Sequence, residues 1–251
     1  MADLSILSME TACLNAWPAL KTASDGAWLW RYGKGYTKRA NSVQAMDVTD
    51  DDVADERLKA MEQLFARHGI SPVFRVTPLA GPDVIAALDA AGWQAFEESR
   101  VLSMALAPEM ALAPVTGEVR FFEPTDPQWF RTQAAMSGYG EETIAVLAEI
   151  LAHIAAPATG ILIFDESGRA VAAALASVAF GIGVYLNVVA LETARGKGYG
   201  RSVMLAALNW TRQHGAMHAV IQVVSDNVLA VRLYTSLGFA ERYRYHYRRP
   251  A

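Results

Sequence analysis

A repeat constrains this chain more than any other feature. His68-Gly69 is followed 23 residues later by Ala91-Gly92-Trp93, and His214-Gly215 is followed 23 residues later by Leu237-Gly238-Phe239. The offset between the copies is 146 in both places, and the same shift lays Asn41 on Asn187 and Val43 on Val189. Each copy reads as strand, helix ending at His-Gly, strand, helix ending at Gly-aromatic, final strand. The glycines stand where a helix C-terminus needs positive φ. Such a chain is expected to fold as two related lobes, residues 1–108 and 118–251. Each is an α+β unit, a central and mostly antiparallel sheet flanked by helices. The proline-flanked stretch from Ala107-Pro108 to Ala113-Pro114 has little periodicity and reads as the linker.

Along the first copy, Ser8 to Leu20 is a short amphipathic start, and strands follow around Trp28 and Trp30 and at Ala40 to Met46. A helix is expected from Asp50 to His68 with Leu58, Met61, Leu64 and Phe65 on one face. Val73 to Val76 reads as a strand and Pro82 to Ala91 as a helix. The second copy opens with a strand at Glu118 to Phe122, absent from the first, then helices at Pro127 to Ser137 and Glu141 to Ile154. A strand at Gly160 to Asp165 precedes Ala170 to Leu191, 22 uncharged residues long enough to suggest a membrane span. Its valines and the Gly181-Ile182-Gly183 break favour two buried strands joined by a turn. A helix at Arg201 to His214, a strand at Ala219 to Val224, a helix at Asn227 to Leu237 and a strand at Glu241 to Arg248 complete it.

Between the apolar run ending at Leu191 and the next helix lies Arg195-Gly196-Lys197-Gly198-Tyr199-Gly200. Strand, glycine-rich turn and helix in that order make an anion site. The backbone can approach closely, and its amides point inward with the positive end of the helix dipole. The spacing is neither GxxxxGK[ST] nor GxGxxG. Arg31-Tyr32-Gly33-Lys34-Gly35-Tyr36 has the wrong spacing and no helix after it, so it reads as a hairpin turn.

Arg195-x-x-Gly198-x-Gly200 fits [QR]-x-x-G-x-[GA] and closely resembles the pyrophosphate loop of the GNAT superfamily of N-acetyltransferases. Asn227-x-x-Ala230-x-x-Leu233-Tyr234-x-x-Leu237-Gly238-Phe239 resembles the family's second signature. The resemblance implies an acetyl-CoA-dependent N-acetyltransferase with a complete second lobe and a degenerate first one. The coenzyme would be held by Val188, Val189 and Ala190 on a strand splayed at a bulge, by Arg195 to Arg201, and by Asn227 and Tyr234. Tyr234 would be the general acid, a phenol still protonated at neutral pH. Tyr139, Glu141 and Glu142 lie in the region that shapes the acceptor pocket in the family, where a glutamate could bind or deprotonate an amine. At the 146 offset, the loop falls on Thr49-Asp50-Asp51-Asp52-Val53-Ala54, whose carboxylates would repel a pyrophosphate.

The remaining composition excludes more than it assigns. A net charge of −4 with no basic stripe argues against nucleic acid. One cysteine, Cys13, excludes an internal disulfide and accords with a cytoplasmic setting. The N-terminus lacks the basic region of a signal peptide. His214 and His218 are separated by Gly215, so no metal site is expected. The acceptor is expected to be the primary amine of a small molecule or peptide. A mycothiol-synthase-like tandem acyltransferase and a non-catalytic acyl-CoA sensor are the alternatives, and the oligomeric state is not legible.

Overall fold

The computed structural model describes residues 4–107 and 113–251. Most of the expected linker, including Pro108, lies outside the described residues. The first repeat runs α1 (Ile6–Ala16), β1 (Lys21–Asp25), β2 (Trp28–Tyr32), β3 (Val43–Ala45), α2 (Ala54–Arg67), β4 (Phe74–Val76), α3 (Pro82–Ala90) and β5 (Gln94–Ala105). The second runs β6 (Glu118–Phe122), α4 (Pro127–Met136), α5 (Glu141–Ala152), β7 (Ala158–Phe164), β8 (Ala170–Ala179) and β9 (Ile182–Ala190). It ends with α6 (Tyr199–Gln213), β10 (His218–Val224), α7 (Val228–Ser236) and β11 (Ala240–Arg249). A shift of 146 lays α3 on α7 residue for residue, and α2 on α6 less its first residue. The two α+β lobes are therefore structural repeats, and the first has one strand fewer.

The strands join in one 11-stranded mixed sheet, in the order β1-β2-β3-β4-β11-β5-β10-β9-β8-β7-β6. The two final strands are exchanged. β5 lies between β10 and β11, with Ala219 opposite Met104 and Tyr245 opposite Ser99, while β11 pairs on its other side with β4. Each lobe is thus closed by a strand of the other.

Three apolar clusters hold the layers. On one face, α1, α4 and α5 bury Trp17, Trp129 and Leu147 against Leu175, Val184 and the alternating Tyr243, Tyr245 and Tyr247. On the other, α6 and α7 bury Met204, Ala207 and Tyr234 against Ile221 and Phe239. Under α2 and α3 lie Trp28, Trp30, Phe65, Phe74 and Leu88. The uncharged stretch is the β8–β9 hairpin, covered on both faces and turned at Phe180-Gly181, where both φ values are positive. Among the described residues, no helix is long and apolar enough to cross a membrane.

Two boundaries differ from the sequence expectation. Helix α2 starts at Ala54 rather than Asp50, because Asp50 is drawn away to accept the Ala27 amide and pair with Arg57. Strand β3 is shortened because Lys38–Ala40 form a 3-10 turn. That turn closes the β2–β3 loop, where the Asn41 side chain accepts the Gly33 and Gly35 amides. The Arg31 to Tyr36 segment is therefore part of a hairpin connection. β1, polar and exposed, carries no apolar alternation and was not foreseen.

Candidate active site

Strands β9 and β10 begin as a parallel pair and part company. Their ladder stops at Tyr185 opposite Ile221, although β9 continues to Ala190 and β10 to Val224. A bulge in β9 bends it away. Leu186 faces Leu175 and Val189 faces Ala173, so Asn187 and Val188 together oppose Ala174, and Asn187 takes φ +51°. The Leu191 amide donates to the Val171 carbonyl at 2.9 Å, and Val189 pairs with Ala173. By alternation the Val188 and Ala190 amides point the other way, into the gap where no strand pairs with them.

The gap opens towards the glycine corner. Glu192–Ala194 form a 3-10 turn, and Gly196 and Gly198 follow at φ +76° and +85°. Gly198 caps α6 without any side-chain hydrogen bond, leaving the first-turn amides of α6 without intrahelical acceptors. A Cβ built on either glycine meets no atom within 4 Å, so the corner faces open space. Arg195 pairs with Glu192 at 2.8 Å, and Arg201 donates to the Ser236 hydroxyl at 3.0 Å, joining α6 to α7.

Helix α7 forms the opposite wall. Asn227 is its N-cap, accepting the Ala230 amide at 3.1 Å, and Tyr234 lies two turns further on. The Tyr234 ring is packed edge-on to Phe239 and is only 5% exposed. Burial pushes its pKa up to about 12, so the phenol keeps its proton at neutral pH. These walls enclose a cleft of about 550 Å³ lined by Val188 to Ala190, the glycine corner, Asn227 and Tyr234.

A protein-family profile described as "Probable histone acetyltransferase Rv0428c C-terminal" matches residues 4–248. The chain belongs to this family. It is an N-acetyltransferase of the GNAT superfamily. An uncharacterized N-acetyltransferase of Bacillus subtilis, YobR, is 26% identical over 97% of this chain and 98% of its own length. A mycothiol acetyltransferase of Renibacterium salmoninarum is 30% identical over 61% of this chain and 50% of its own length. A GCN5-related N-acetyltransferase from Kribbella flavida shares the fold, with a TM-score of 0.71 and 19% identity over 100% of this chain and 97% of that one.

The GNAT signature residues converge. Arg195, Gly196, Gly198, Tyr199, Gly200 and Arg201 line the cleft together with Asn227 and Tyr234. Lys197 does not line it. The acceptor-side candidates lie elsewhere, at the α4–α5 corner. Tyr139 packs edge-on to Tyr36 at 5.7 Å, Glu141 is exposed and pairs with Arg131 at 3.3 Å, and Glu142 sits exposed in the first turn of α5. Sequence reasoning missed the apolar wall made by Leu229, Ala230 and Leu233. The helical spacing of Ala230 and Leu233 from Asn227 was the available signal. Among the described residues, no three metal-ligating side chains come together.

The equivalent corner of the first repeat closes on itself. Asp50 accepts the Ala27 amide at 2.5 Å, and Asp51 accepts the Asp83 amide at 3.1 Å in the first turn of α3. A Cβ on Gly81 would overlap the Asp51 carboxylate. Carboxylates here occupy the place that is open space in the second repeat.

Proposed function

We propose that the chain transfers an acetyl group from acetyl-CoA to the primary amine of a small molecule or peptide, by direct attack and without a metal. The cleft supports this reading because the residues present fit the coenzyme. The open glycine corner and the free amides of α6 suit a pyrophosphate. The unpaired Val188 and Ala190 amides suit a pantetheine arm and a thioester oxygen. When bound, acetyl-CoA supplies an acyl group activated as a thioester. The β9 amides orient its carbonyl and stabilise the charge that develops on oxygen. The acceptor nitrogen enters as the neutral amine, forms the C–N bond and loses its second proton to water as the C–S bond breaks.

Tyr234, which lines the cleft, is read as the acid that meets the leaving sulfur. Full transfer from a phenol near 12 to a thiolate whose conjugate acid lies near 8.5 is uphill by about three to four pKa units. Tyr234 therefore acts while the C–S bond is stretching, donating a hydrogen bond to the developing charge and then its proton. The acceptor's released proton restores the phenol, and the products are the acetamide and free coenzyme A thiol.

The observation that carries this reading is the buried Tyr234 in one cleft with a strand gap lined by unpaired amides. Replacing it tests the reading. Tyr234→Phe is expected to lower kcat by about 10²- to 10⁴-fold, the usual worth of a positioned acid, while the acetyl-CoA Kd changes less than twofold. Unchanged turnover would remove Tyr234 from the chemistry, and unmeasurable acetyl-CoA binding by the unaltered protein would end the assignment. The partial match to a mycothiol acetyltransferase, over 61% of this chain, supports a mycothiol-synthase-like tandem acyltransferase as the second reading. The first lobe is read as having lost coenzyme binding, and the cytoplasm, where acetyl-CoA is made and used, is the proposed setting.

A further inference from the structure

We infer that the first lobe builds the acceptor pocket, and that the acceptor is a primary amine carrying an anionic group a few bonds from its nitrogen. This rests on the acetyl-transfer reading above and adds the substrate class to it.

A groove of about 230 Å³ lies along the same end of β10 that borders the strand gap. Its walls include Lys38, Arg39 and Glu97 from the first repeat and Gln222, Tyr245 and Tyr247 from the second. Tyr245 and Tyr247 belong to the core on the α1 face of the sheet, whereas the Tyr234 cleft belongs to the α6–α7 face. The groove and cleft therefore approach the gap from opposite faces. Gln222 to Val224 follow the last β9–β10 pair, and Asn227, three residues beyond Val224, lines the cleft. On this inference an amine in the groove reaches the thioester through the gap between β9 and β10.

The charges say what kind of amine fits. A second bulge sets them. Tyr245 faces Ser99 and Tyr247 faces Phe96, so Glu97 and Glu98 together oppose His246, and Glu97 adopts φ +45°. A non-glycine residue held there is strained, and bulges re-aim side chains. The two neighbouring carboxylates accordingly separate. Glu98 pairs with Arg244 and accepts from the Ser225 hydroxyl, both at 2.9 Å, while Glu97 meets Lys38 at 3.0 Å in the groove. Among the described residues Arg39 has no carboxylate within ion-pair distance, and its guanidinium stands 5.9 Å from the Trp17 ring. Two cations and one carboxylate make a site for a zwitterion. The ammonium takes the place of Lys38 on Glu97, and the anionic group takes Arg39.

A matched amine panel tests this, read by release of the coenzyme A thiol: glycine, β-alanine, a dipeptide and 2-aminoethyl phosphate against propylamine, glycinamide and spermidine. The best anion-bearing amine is expected to exceed its uncharged counterpart by at least tenfold in kcat/KM. Arg39→Gln should erase that margin, Arg39→Lys should restore part of it, and Glu97→Gln should raise KM for every amine, all with the acetyl-CoA Kd unchanged. Equal kcat/KM for matched amines, a preference for spermidine, a margin surviving in Arg39→Gln, or turnover of no amine in the panel would overturn the assignment. Calorimetry separates the two failures. Loss of the acetyl-transfer reading appears as no acetyl-CoA binding, whereas loss of this one leaves that binding intact.

Discussion

At the scale of single residues, burial decides both chemistry and tolerance. Tyr234 is held near pKa 12, so it does not titrate in the working range. The rate is expected to rise with pH as the acceptor ammonium loses its proton, with no falling limb from Tyr234 below about pH 11. A thiol-release profile from pH 6 to 10 checks this. A falling limb near pH 9 that disappears in Tyr234→Phe would contradict it. Burial likewise pushes the Cys13 thiol up to about 12, so it is a poor nucleophile despite lining a small internal polar cavity. Glycines give a second contrast. A Cβ at Gly160 would overlap the Trp129 indole in the core, and Gly160→Ala is expected to cost about 1–3 kcal/mol by urea denaturation. At Gly200 the added carbon meets Leu233 at 3.7 Å and Ala190 at 3.9 Å, ordinary contact, so Gly200→Ala should leave stability within about 0.5 kcal/mol.

At the scale of elements, most of the fold was legible because periodicity and helix ends are local signals. The spans of α4 to α7 and of β6, β10 and β11 agree with the sequence reading to within about two residues, since each combines an apolar face with glycine, proline or asparagine punctuation. The strand β1 escaped because Lys-Thr-Ala-Ser-Asp has nothing to bury. The β9 bulge was expected only from the family resemblance; no residue pattern announces the positive φ of Asn187. On the candidate site, the residues that line the cleft could be read because the glycines and Asn227 serve backbone roles that few other residues fill. The groove proposed for the acceptor could not, because sheet pairing and the β2–β3 loop bring Glu97, Gln222 and Lys38 together and no spacing in the chain foretells that. The cap itself is testable. Asn227→Ala should lower stability by about 1 kcal/mol through loss of the bond to the Ala230 amide, seen as a lower Tm.

At the scale of the whole molecule, the exchange of β5 and β11 makes the repeats interdependent. Local pattern could not reveal it, because either final strand offers a similar ladder and the choice between them is long-range. Residues 113–251 alone would lack β5 from between β10 and β11 and are expected not to fold. Cleavage at a protease site engineered within residues 108–112 should instead leave two fragments that co-purify and melt in one transition. Two separate transitions would show that the lobes are independent. The exchange also places a strand of the first repeat beside β10, which borders the strand gap, although the first repeat's own corner is filled by Asp50 and Asp51. One coenzyme is expected to bind per chain, at the corner of Gly198. Calorimetric titration with acetyl-CoA, of the unaltered protein and of Gly198→Val, tests it most directly. The prediction is a stoichiometry of one, weakened more than tenfold by the substitution; a stoichiometry of two, or an unchanged affinity in Gly198→Val, would contradict it.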